Sequence, residues 1–364
     1  MSTVGKNGIP IILGTGLLAL DVVDSHNSGE PLKYWAGGTC GNVLLALRYL
    51  GWAARPVARL SADPLAETLI ADLKRWQVDC KWVTSDDDGS TPTIVHKIYT
   101  NSAGQPAHSF SWRCSDCGRR YPGYKAVLAT TAEEIATRTK RVDAFFFDRV
   151  SRGALVLAKA CADKGALVVF EPSGVNHPPL FKEACEIAHV IKYSHERLDD
   201  FPAEIDNSPS IRLQIETIGE QGLRYRCRQT KKGFKPWVSL DAFTTDQVVD
   251  TAGAGDWTTA GILALAARGG LVAFDKLDPS RVKAAIRYGQ ALAAWACCFE
   301  GARGGMYAVD KKTFQAQVKS IAEGEAGNRN ELIRMKTVTE KASAALCSSC
   351  GPFHGARKRT RRSG

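Results

Sequence analysis

The chain has 364 residues, of which 44% are hydrophobic, and a formal net charge of +10. This composition excludes wholesale disorder, and the length fits one large α/β domain with a small appendage, or two domains. No apolar run approaches the ~20 residues that a bilayer crossing needs, and the first residues lack the basic and apolar segments of a secretory signal. The eleven cysteines, an odd number, fit a reducing compartment. We therefore expect a cytoplasmic protein without a membrane segment.

Apolar strands alternate with helical segments along most of the chain. The strand patterns cover 10–20, 54–61, 93–100, 108–112, 143–148, 166–173 and 189–194, and the helical patterns cover 41–52, 64–78, 153–165, 179–188 and 257–267. Gly14 and Gly16 interrupt the first strand pattern. Strands that are apolar throughout and separated by helices predict a mostly parallel sheet covered by helices on both faces. The two strands that flank NSAGQPA (101–107) break the alternation and predict a hairpin in a small β appendage.

The stretch DTAGAGDWTTAG, residues 250–261, places small residues directly before an apolar helix that is expected to start near Asp256. A helix N-terminus presents free N–H groups and a partial positive charge, which suits a bound anion such as phosphate. Asp256 would lie beside that anion and could accept a proton from an attacking hydroxyl. A helix N-cap with a flexible lead-in explains the stretch equally well when it is taken alone.

Three motifs, in this order along the chain, resemble the ribokinase-like (PfkB) family of carbohydrate and nucleoside kinases. WAGGTCGNVLLALRYLGW (35–52) is similar to the N-terminal signature of that family, ETIGEQGLRY (216–225) to its Thr-x-Gly-x-x-Gly element, and DTAGAGDWTTAG to its C-terminal signature. The resemblance covers roughly residues 9–310. It implies a ribokinase-like three-layer fold, a β lid, and ATP-dependent phosphorylation of a sugar or nucleoside hydroxyl.

The resemblance also implies a division of the chain. Residues 1–320 would form the kinase domain, with a β lid contributed by roughly 22–36 and 90–118. Residues 321–364 would form a C-terminal extension. Small-molecule acceptors and ATP with Mg²⁺ would be the ligands, and a homodimer could form through the lid.

Catalytic and substrate roles follow from the same resemblance. Asp256 would be the general base, and the backbone N–H groups of Gly253, Ala254 and Gly255 would stabilise charge on the transferred phosphoryl group. The substrate side would comprise Asp21, Gly37, Gly38, Asn42 and Arg113. The carboxylate of Asp21 can accept two hydroxyl hydrogen bonds, which suits a vicinal diol. In isolation Asp21 also fits a solvating acid at a strand end, Asn42 a helix cap, and Arg113 an exposed lid residue.

The nucleotide side would comprise Thr217, Gly219, Gly222, Thr251, Gly301 and Ala302. A tight turn between strands explains the two glycines at 219 and 222 equally well. The stretch KYSHERLDD departs from the Asn-x-x-Glu element that the family uses near Mg²⁺. Ser194 stands at the first place and Arg197 at the second, so Glu196, one position early, is the candidate for the Mg²⁺ role.

The chain also contains two Cys-x-x-Cys-Gly sequences, which have no counterpart in the motifs of the ribokinase-like family. They are CSDCG, with Cys114 and Cys117, and CSSCG, with Cys347 and Cys350. Each gives two thiolates at one corner of a tetrahedron, and the following glycine lets the turn close, so together they predict one structural Zn²⁺. Reduced surface thiols and two redox pairs are the alternatives.

The chain ends in a basic tail that carries half of the net charge. Its cationic residues are Arg357, Lys358, Arg359, Arg361 and Arg362. We interpret the tail as a solvated end, and contact with nucleic acid or with a partner or anionic substrate are the alternatives. We do not claim nucleic-acid binding, because no aromatic residues alternate with the charges of the tail. For the whole chain the sequence predicts an ATP-dependent sugar kinase. The alternatives are a nucleoside kinase of the same fold and a non-catalytic binding protein on a kinase scaffold. The presence of Arg197 in the Mg²⁺ element favours the loss of catalysis, whereas the intact AGAGD sequence opposes it.

Overall fold

A computed structural model describes residues 8–25, 32–100, 102, 106–198, 203–229, 233–245 and 247–324. Its strands are β1 (Ile11–Thr15), β2 (Ala19–Ser25), β3 (Lys33–Gly37), β4 (Ala53–Ser61), β5 (Trp82–Asp86), β6 (Thr93–Thr100), β7 (Pro106–Ser111), β8 (Ala144–Phe147), β9 (Leu167–Phe170), β10 (Val190–Ser194), β11 (Leu213–Thr217), β12 (Leu223–Gln229), β13 (Gly233–Phe234) and β14 (Val238–Leu240). Its helices are α1 (Gly38–Tyr49), α2 (Pro64–Arg75), α3 (Ala129–Arg138), α4 (Arg152–Asp163), α5 (Pro178–Ile187), α6 (Ala203–Asn207), α7 (Ala254–Ala266), α8 (Gly270–Phe274), α9 (Pro279–Ala296), α10 (Gly304–Ala308) and α11 (Lys311–Glu323).

The larger sheet forms the centre of the molecule. Its strand order is β13-β12-β11-β10-β9-β8-β1-β4-β5, and β14 also pairs with β12. All pairs from β11 to β5 are parallel, whereas β12 pairs antiparallel with β11, β13 and β14. Strands β8 and β9 are buried along their whole length, as parallel strands covered on both faces must be. The prediction of a mostly parallel, helix-covered sheet is therefore confirmed.

Two helical layers cover this sheet. Along β1, Ile12 packs into the core that contains buried residues of α1, α2, α7, α9 and α11, whereas Leu13 packs into the core of α3, α4 and α5. Successive side chains of a strand point to opposite faces, so the same strand supplies both cores. Among the described residues, no helix combines the length and apolar composition that a bilayer crossing requires.

The smaller sheet, called the lid below, has the order β3-β2-β6-β7. The predicted strand at 10–20 contributes to both sheets, because the chain turns at Gly16, whose φ is +144°, and continues as β2. Gly14 stays within β1, so the first glycine does not end the strand. The hairpin predicted from 93–100 and 108–112 is present as β6 and β7. The division into domains stays a prediction, because most of the extension from residue 321 lies outside the described residues.

Helices α7 and α9 approach each other closely through two glycines. A Cβ atom at Gly261 would lie 2.6 Å from the Cα atom of Gly289, and a Cβ atom at Gly289 would lie 2.5 Å from the carbonyl oxygen of Thr258. Contacts this short with backbone atoms leave no room for a side chain. The absence of side chains at these positions therefore sets where α7, the helix of the DTAGAGDWTTAG motif, lies on the sheet.

We predict that Gly261→Ala destabilises the protein by about 1–3 kcal/mol, because the two helix backbones must separate. Alanine has a higher helix propensity than glycine by about 1 kcal/mol, which opposes this effect without cancelling it. Leu265→Ala, on the same helix at a position that is 53% exposed, is the control and should cost less than about 1 kcal/mol. Urea unfolding measures both. A Gly261→Ala variant as stable as the parent would contradict this account of the helix contact.

Candidate active site at the carboxyl edge of the sheet

The motif residues converge on the carboxyl edge of the larger sheet. In open α/β sheets, ligands bind at this edge, beside the point where the strand order changes direction. Here that point lies between β1 and β8. The chain adds β4 and β5 on one side of β1, and then adds β8 to β11 on the other side. Asp148 and Glu171 directly follow β8 and β9, and Ser194 and Thr217 end β10 and β11 in register with each other.

The N-terminus of α7 opens into this site. Gly253 precedes the helix in the left-handed conformation, with φ of +76°, and a Cβ atom there would lie 2.6 Å from that of Ala302. Glycine is required at such a position. The helix begins at Ala254, two residues before the predicted start, and no side chain caps it. The N–H of Ala254 donates to the carbonyl oxygen of Thr251 at 3.2 Å, so the other backbone N–H groups of the first turn can be offered to an anion, and Asp256 lies within that turn.

A hydrogen bond joins the first and last motifs. Nδ2 of Asn42 in α1 donates to Oδ2 of Asp256 at 2.8 Å, across 214 positions of sequence. Asn42 is buried, and its Oδ1 atom has no hydrogen-bond partner within the described part of the chain. A buried carbonyl oxygen without a donor is costly, so this atom is ready to accept a hydrogen bond from a ligand.

Asp256 lies beside a buried ion pair that the sequence analysis missed. Nζ of Lys192 in β10 is 2.6 Å from Oε1 of Glu171, and the hydroxyl of Thr259 in α7 donates to Oε2 of Glu171 at 2.7 Å. Burial, and then the negative charge of Glu171, raise the pKa of Asp256 well above its usual range, against the effects of Asn42, Lys192 and Arg197. A carboxyl group with a raised pKa is a stronger base than an ordinary one, as proton abstraction near neutral pH requires.

Asp21 lies on the second strand, where the lid meets α1. A Cβ atom at Gly37 would lie 1.9 Å from Oδ2 of Asp21, so the carboxylate rests directly on the glycine backbone. Burial raises the pKa of Asp21 to about 6, although Arg303, His96 and the backbone N–H of Gly38 lower it. The structure thus brings Asp21, Gly37 and Gly38 together, and Gly38 begins the helix that carries Asn42.

A network of buried charged residues supports the end of β3, next to Asp21. Nη2 of Arg303 is 3.0 Å from Oδ2 of Asp72 and also donates to the carbonyl oxygen of Ala36, while the hydroxyl of Tyr307 donates to Asp72 at 2.8 Å. Oδ2 of Asp72 also accepts from the backbone N–H of Ala36 at 2.8 Å. These contacts hold the end of β3, and with it the Gly37 backbone on which Asp21 rests.

The predicted nucleotide residues fall into two groups. Thr217, Gly219 and Gly222 form the end of β11 and the turn that follows, and both glycines have positive φ. Gly301 and Ala302 are buried below the Gly253 turn: the N–H of Gly301 donates to Asp250 at 2.8 Å, and the carbonyl oxygen of Ala302 accepts from Nε1 of Trp257 at 2.9 Å. Gly301 and Ala302 therefore support the turn that precedes α7.

Thr251, the sixth predicted nucleotide residue, is exposed one residue after Asp250. Its hydroxyl lies 3.5 Å from Nδ1 of His108 in the lid. Glu196, the Mg²⁺ candidate, is exposed in a short 3-10 turn after β10, and Arg197 follows it in the same turn.

Arg113 is not gathered with the other predicted substrate residues. It is exposed, and its guanidinium donates to the carbonyl oxygen of Gly118 at 2.9 Å. It therefore closes the turn of the first Cys-x-x-Cys-Gly sequence. In that turn Cys114 is buried, Cys117 is exposed, and Gly118 is left-handed with φ of +71°. Cys347 and Cys350, like the basic tail, lie outside the described residues.

These features define an α/β protein in which the half-buried carboxylate of Asp256 lies in the first turn of a helix that no side chain caps, with a smaller β-sheet, the lid, beside the larger one. A family model described as pfkB family carbohydrate kinase matches residues 18–308. The chain therefore belongs to the pfkB family of carbohydrate kinases. A comparison with curated protein sequences found no match.

Solved structures of sugar and nucleoside kinases share the fold. The fructokinase of Xylella fastidiosa with bound ATP is 18% identical, with a TM-score of 0.64 over 87% of this chain and 99% of that one. The aminoimidazole riboside kinase of Salmonella enterica is 19% identical, with a TM-score of 0.61 over 85% and 99%. The nucleoside kinase of Burkholderia thailandensis, in complex with ADP-inosine, is 17% identical, with a TM-score of 0.59 over 85% and 95%.

We predict that Glu171→Gln lowers the pKa of Asp256, because it removes the negative charge that helps to raise it. Thr259→Ala is the matched control: it deletes a hydrogen bond to Glu171 but keeps the charge, so the pKa of Asp256 should change little. The titration of the Asp256 carboxyl carbon, assigned by its loss in Asp256→Asn, measures the effect by NMR. The same titration midpoint in the parent and in Glu171→Gln would show that Glu171 does not act on Asp256.

Proposed function

We propose that the protein transfers the γ-phosphoryl group of ATP to a hydroxyl of a sugar moiety, either a free sugar or the sugar of a nucleoside. One observation carries this proposal. Asp256, with a raised pKa, lies in the uncapped first turn of α7 and is hydrogen-bonded to Asn42, whose buried Oδ1 still lacks a donor. A base, an anion-binding helix end and an unsatisfied acceptor for a hydroxyl thus lie within one site.

The residues would divide the work as follows. Asp21 and Asn42 accept hydrogen bonds from acceptor hydroxyls and orient one of them toward the phosphoryl group. Asp256 takes the proton of that hydroxyl as the phosphoryl group is transferred. The N–H groups that follow Gly253 stabilise the charge on the phosphoryl oxygens. Lys192 adds a positive charge nearby, because a Cβ atom at Gly255 would lie 3.5 Å from its Nζ atom.

ATP supplies the phosphoryl group, and Mg²⁺ neutralises the charge of its phosphates. The residues of the site fit these ligands in chemical type. Both oxygens of Glu171 already contact Lys192 and Thr259. The carboxylate of Glu196, in the KYSHERLDD stretch, is exposed and could approach Mg²⁺. We therefore assign the Mg²⁺ role to Glu196, acting through water as Mg²⁺ sites commonly do. Arg197 would supply a further positive charge near the phosphates, which is why its presence does not argue against catalysis.

We predict that Asp256→Asn lowers turnover by ~10²–10⁴-fold, because asparagine cannot act as a general base. ATP affinity should stay within a few-fold of the parent, because the helix N-terminus is unchanged. Asp163→Asn, an exposed carboxylate in α4, is the control and should leave turnover unaffected. ADP formation is measured with ATP, Mg²⁺ and a panel of sugars and nucleosides. Undiminished turnover in Asp256→Asn would exclude Asp256 as the base.

We further propose that Cys114, Cys117, Cys347 and Cys350 bind one structural Zn²⁺. The left-handed Gly118, whose N–H donates to the carbonyl oxygen of Cys114 at 3.1 Å, supports the first half of such a site. The ion would fasten the C-terminal extension to the lid. If two chains complete each site together, it would also join the lids of a homodimer.

We predict that Cys347→Ser with Cys350→Ser removes about one zinc per chain, because two thiolates cannot complete a tetrahedral site. The extension should then become sensitive to protease, since structural zinc contributes ~10 kcal/mol or more to local order. Cys80→Ser with Cys227→Ser, which removes two half-buried thiols outside the proposed site, serves as the control. Elemental analysis measures the zinc. An unchanged zinc content in the first double variant would refute the site.

A further inference from the structure

Two histidines of the lid meet an aspartate of the DTAGAGDWTTAG motif. Nε2 of His96 in β6 lies 3.3 Å from Oδ2 of Asp250, and Nδ1 of His108 in β7 lies 3.1 Å from Oδ1 of the same carboxylate. One ligand atom from each of the three residues lies within 4.8 Å of the other two. None of these contacts was expected from the sequence, and the proposed transfer of a phosphoryl group does not use them.

The imidazole of His96 is the unexplained group in this cluster. His96 is 2% exposed, and its Nε2 atom has no hydrogen-bond partner among the described residues, although it points into the space beside Asp250. Its distance from the carboxylate is short, but the geometry is not that of a hydrogen bond. The close polar contact that this nitrogen makes is with the Asp250 carboxylate, at ion-pair distance. Imidazole nitrogen is also a common ligand of divalent transition metals.

The carboxylate of Asp250 is held in place as a metal ligand needs to be. Its Oδ1 accepts from the backbone N–H of Ala252 at 3.0 Å, and its Oδ2 accepts from the backbone N–H of Gly301 at 2.8 Å. Each carboxylate oxygen can accept a second contact, and a histidine ring nitrogen lies at 3.1 Å from Oδ1 and at 3.3 Å from Oδ2. Hydrogen bonds of this kind orient ligands and are part of many metal sites.

The three groups are close enough to share one ion, since one ligand atom of each lies within 4.8 Å of the others. The ring nitrogen of His108 lies 3.1 Å from Oδ1 of Asp250 and that of His96 lies 3.3 Å from Oδ2, so an ion among them would lie between both nitrogens and the carboxylate. Aromatic contacts fix both rings, since Phe110 stacks on His96 at 4.6 Å between centroids and lies 5.1 Å from His108.

We propose that His96 Nε2, His108 Nδ1 and the carboxylate of Asp250 bind a divalent transition-metal ion of the Zn²⁺, Co²⁺ or Ni²⁺ type. Nitrogen ligands favour these ions over Mg²⁺, so the site is separate from the one that binds Mg²⁺ with ATP. It is also separate from the four-cysteine site, because it shares none of its residues. Thr251 and the partly exposed side chain of His108 leave one side open to water.

The position of this ion gives it a consequence for the lid. His96 and His108 belong to the β6–β7 hairpin, and Asp250 begins the loop that leads to Gly253 and Asp256. A bound ion would therefore fasten the lid to the loop that carries the base. We expect metal binding to slow amide hydrogen exchange in β6 and β7, since opening of the hairpin would then require loss of a ligand.

The test titrates the full-length protein, as purified, with Co²⁺ alone, and measures bound metal by equilibrium dialysis and the visible spectrum. We expect the parent to bind one Co²⁺ at this cluster, with the spectrum of nitrogen and oxygen ligands. We expect His108→Gln to weaken this binding by more than about 100-fold, because loss of a residue that only hydrogen-bonds to a metal ligand already costs about 10–100-fold in affinity. His177→Gln, which removes an exposed histidine outside the cluster, should bind as the parent does. His96→Gln should behave like His108→Gln. If the buried substitution prevents folding, the partly exposed His108 decides the question.

Co²⁺ bound to thiolates gives intense charge-transfer bands, and Cys347→Ser with Cys350→Ser separates that signal from the one sought here. The histidine-dependent ion should persist in this double variant, and it should slow hydrogen exchange in β6 and β7 of the parent but not of His108→Gln. Equal Co²⁺ affinity in the parent and His108→Gln would overturn the proposal. In that case the cluster is a pair of histidine–carboxylate contacts that fasten the lid without a metal.

Discussion

The hydrogen bond between Asn42 and Asp256 is the constraint on which the site depends. It joins the second turn of α1 to the first turn of α7, and left-handed glycines stand at the start of both helices: Gly38 begins α1 and Gly253 precedes α7. At each of these positions a Cβ atom would meet neighbouring atoms at less than 3 Å, so both helix ends are fixed by backbone packing. The bond then orients the carboxylate of Asp256 through its Oδ2 atom. The close Gly261–Gly289 contact keeps the rest of α7 in the position that this arrangement needs.

The site gathers more buried charge than stability alone would favour. Burial raises the pKa values of Asp21, Asp148 and Asp256, and only part of this is offset by the nearby cations. Buried ion pairs such as Lys192–Glu171 and Arg303–Asp72 are weak sources of stability, because desolvation opposes their attraction. Their benefit lies in placing charge. Lys192 and Glu171 set the electrostatic environment of the base, while Arg303 and Asp72 hold the end of β3 below Asp21.

The sequence predicted the parts of the site that depend on local backbone chemistry. Small residues before an apolar helix indicated the N-terminus of α7, and alternating apolar strands and helices indicated the parallel sheet. The sequence could not predict the buried ion pairs or the histidine cluster, because their residues contact partners that are 21 to 231 positions away in the chain. These residues are Lys192, Glu171, Arg303, Asp72 and the two lid histidines. A charged residue inside an apolar strand, as Lys192 is in VIKYS, was the one available signal. The substrate role of Arg113 stays a prediction, and in the structure its guanidinium closes the cysteine turn.

Two separate groups of residues attach the lid to the rest of the chain. The cysteine turn after β7 would connect it to the extension, and His96 and His108 connect it to Asp250. The histidine attachment is coupled to the site, because His96 acts on the pKa of Asp21 and Asp250 begins the loop that leads to Asp256. Metal availability would therefore act on the position of the lid and on the site together.

The central claim is that Asp256 removes the proton of an acceptor hydroxyl that receives phosphate from ATP. The most direct measurement is ³¹P NMR of reaction mixtures that contain ATP, Mg²⁺ and single sugars or nucleosides, with the parent protein and with Asp256→Asn side by side. The account predicts a new phosphomonoester signal that matches the ADP formed and requires both the acceptor and Asp256. Formation of ADP and inorganic phosphate at the same rate with every acceptor and with none, or a phosphomonoester signal that grows equally fast with Asp256→Asn, would contradict it.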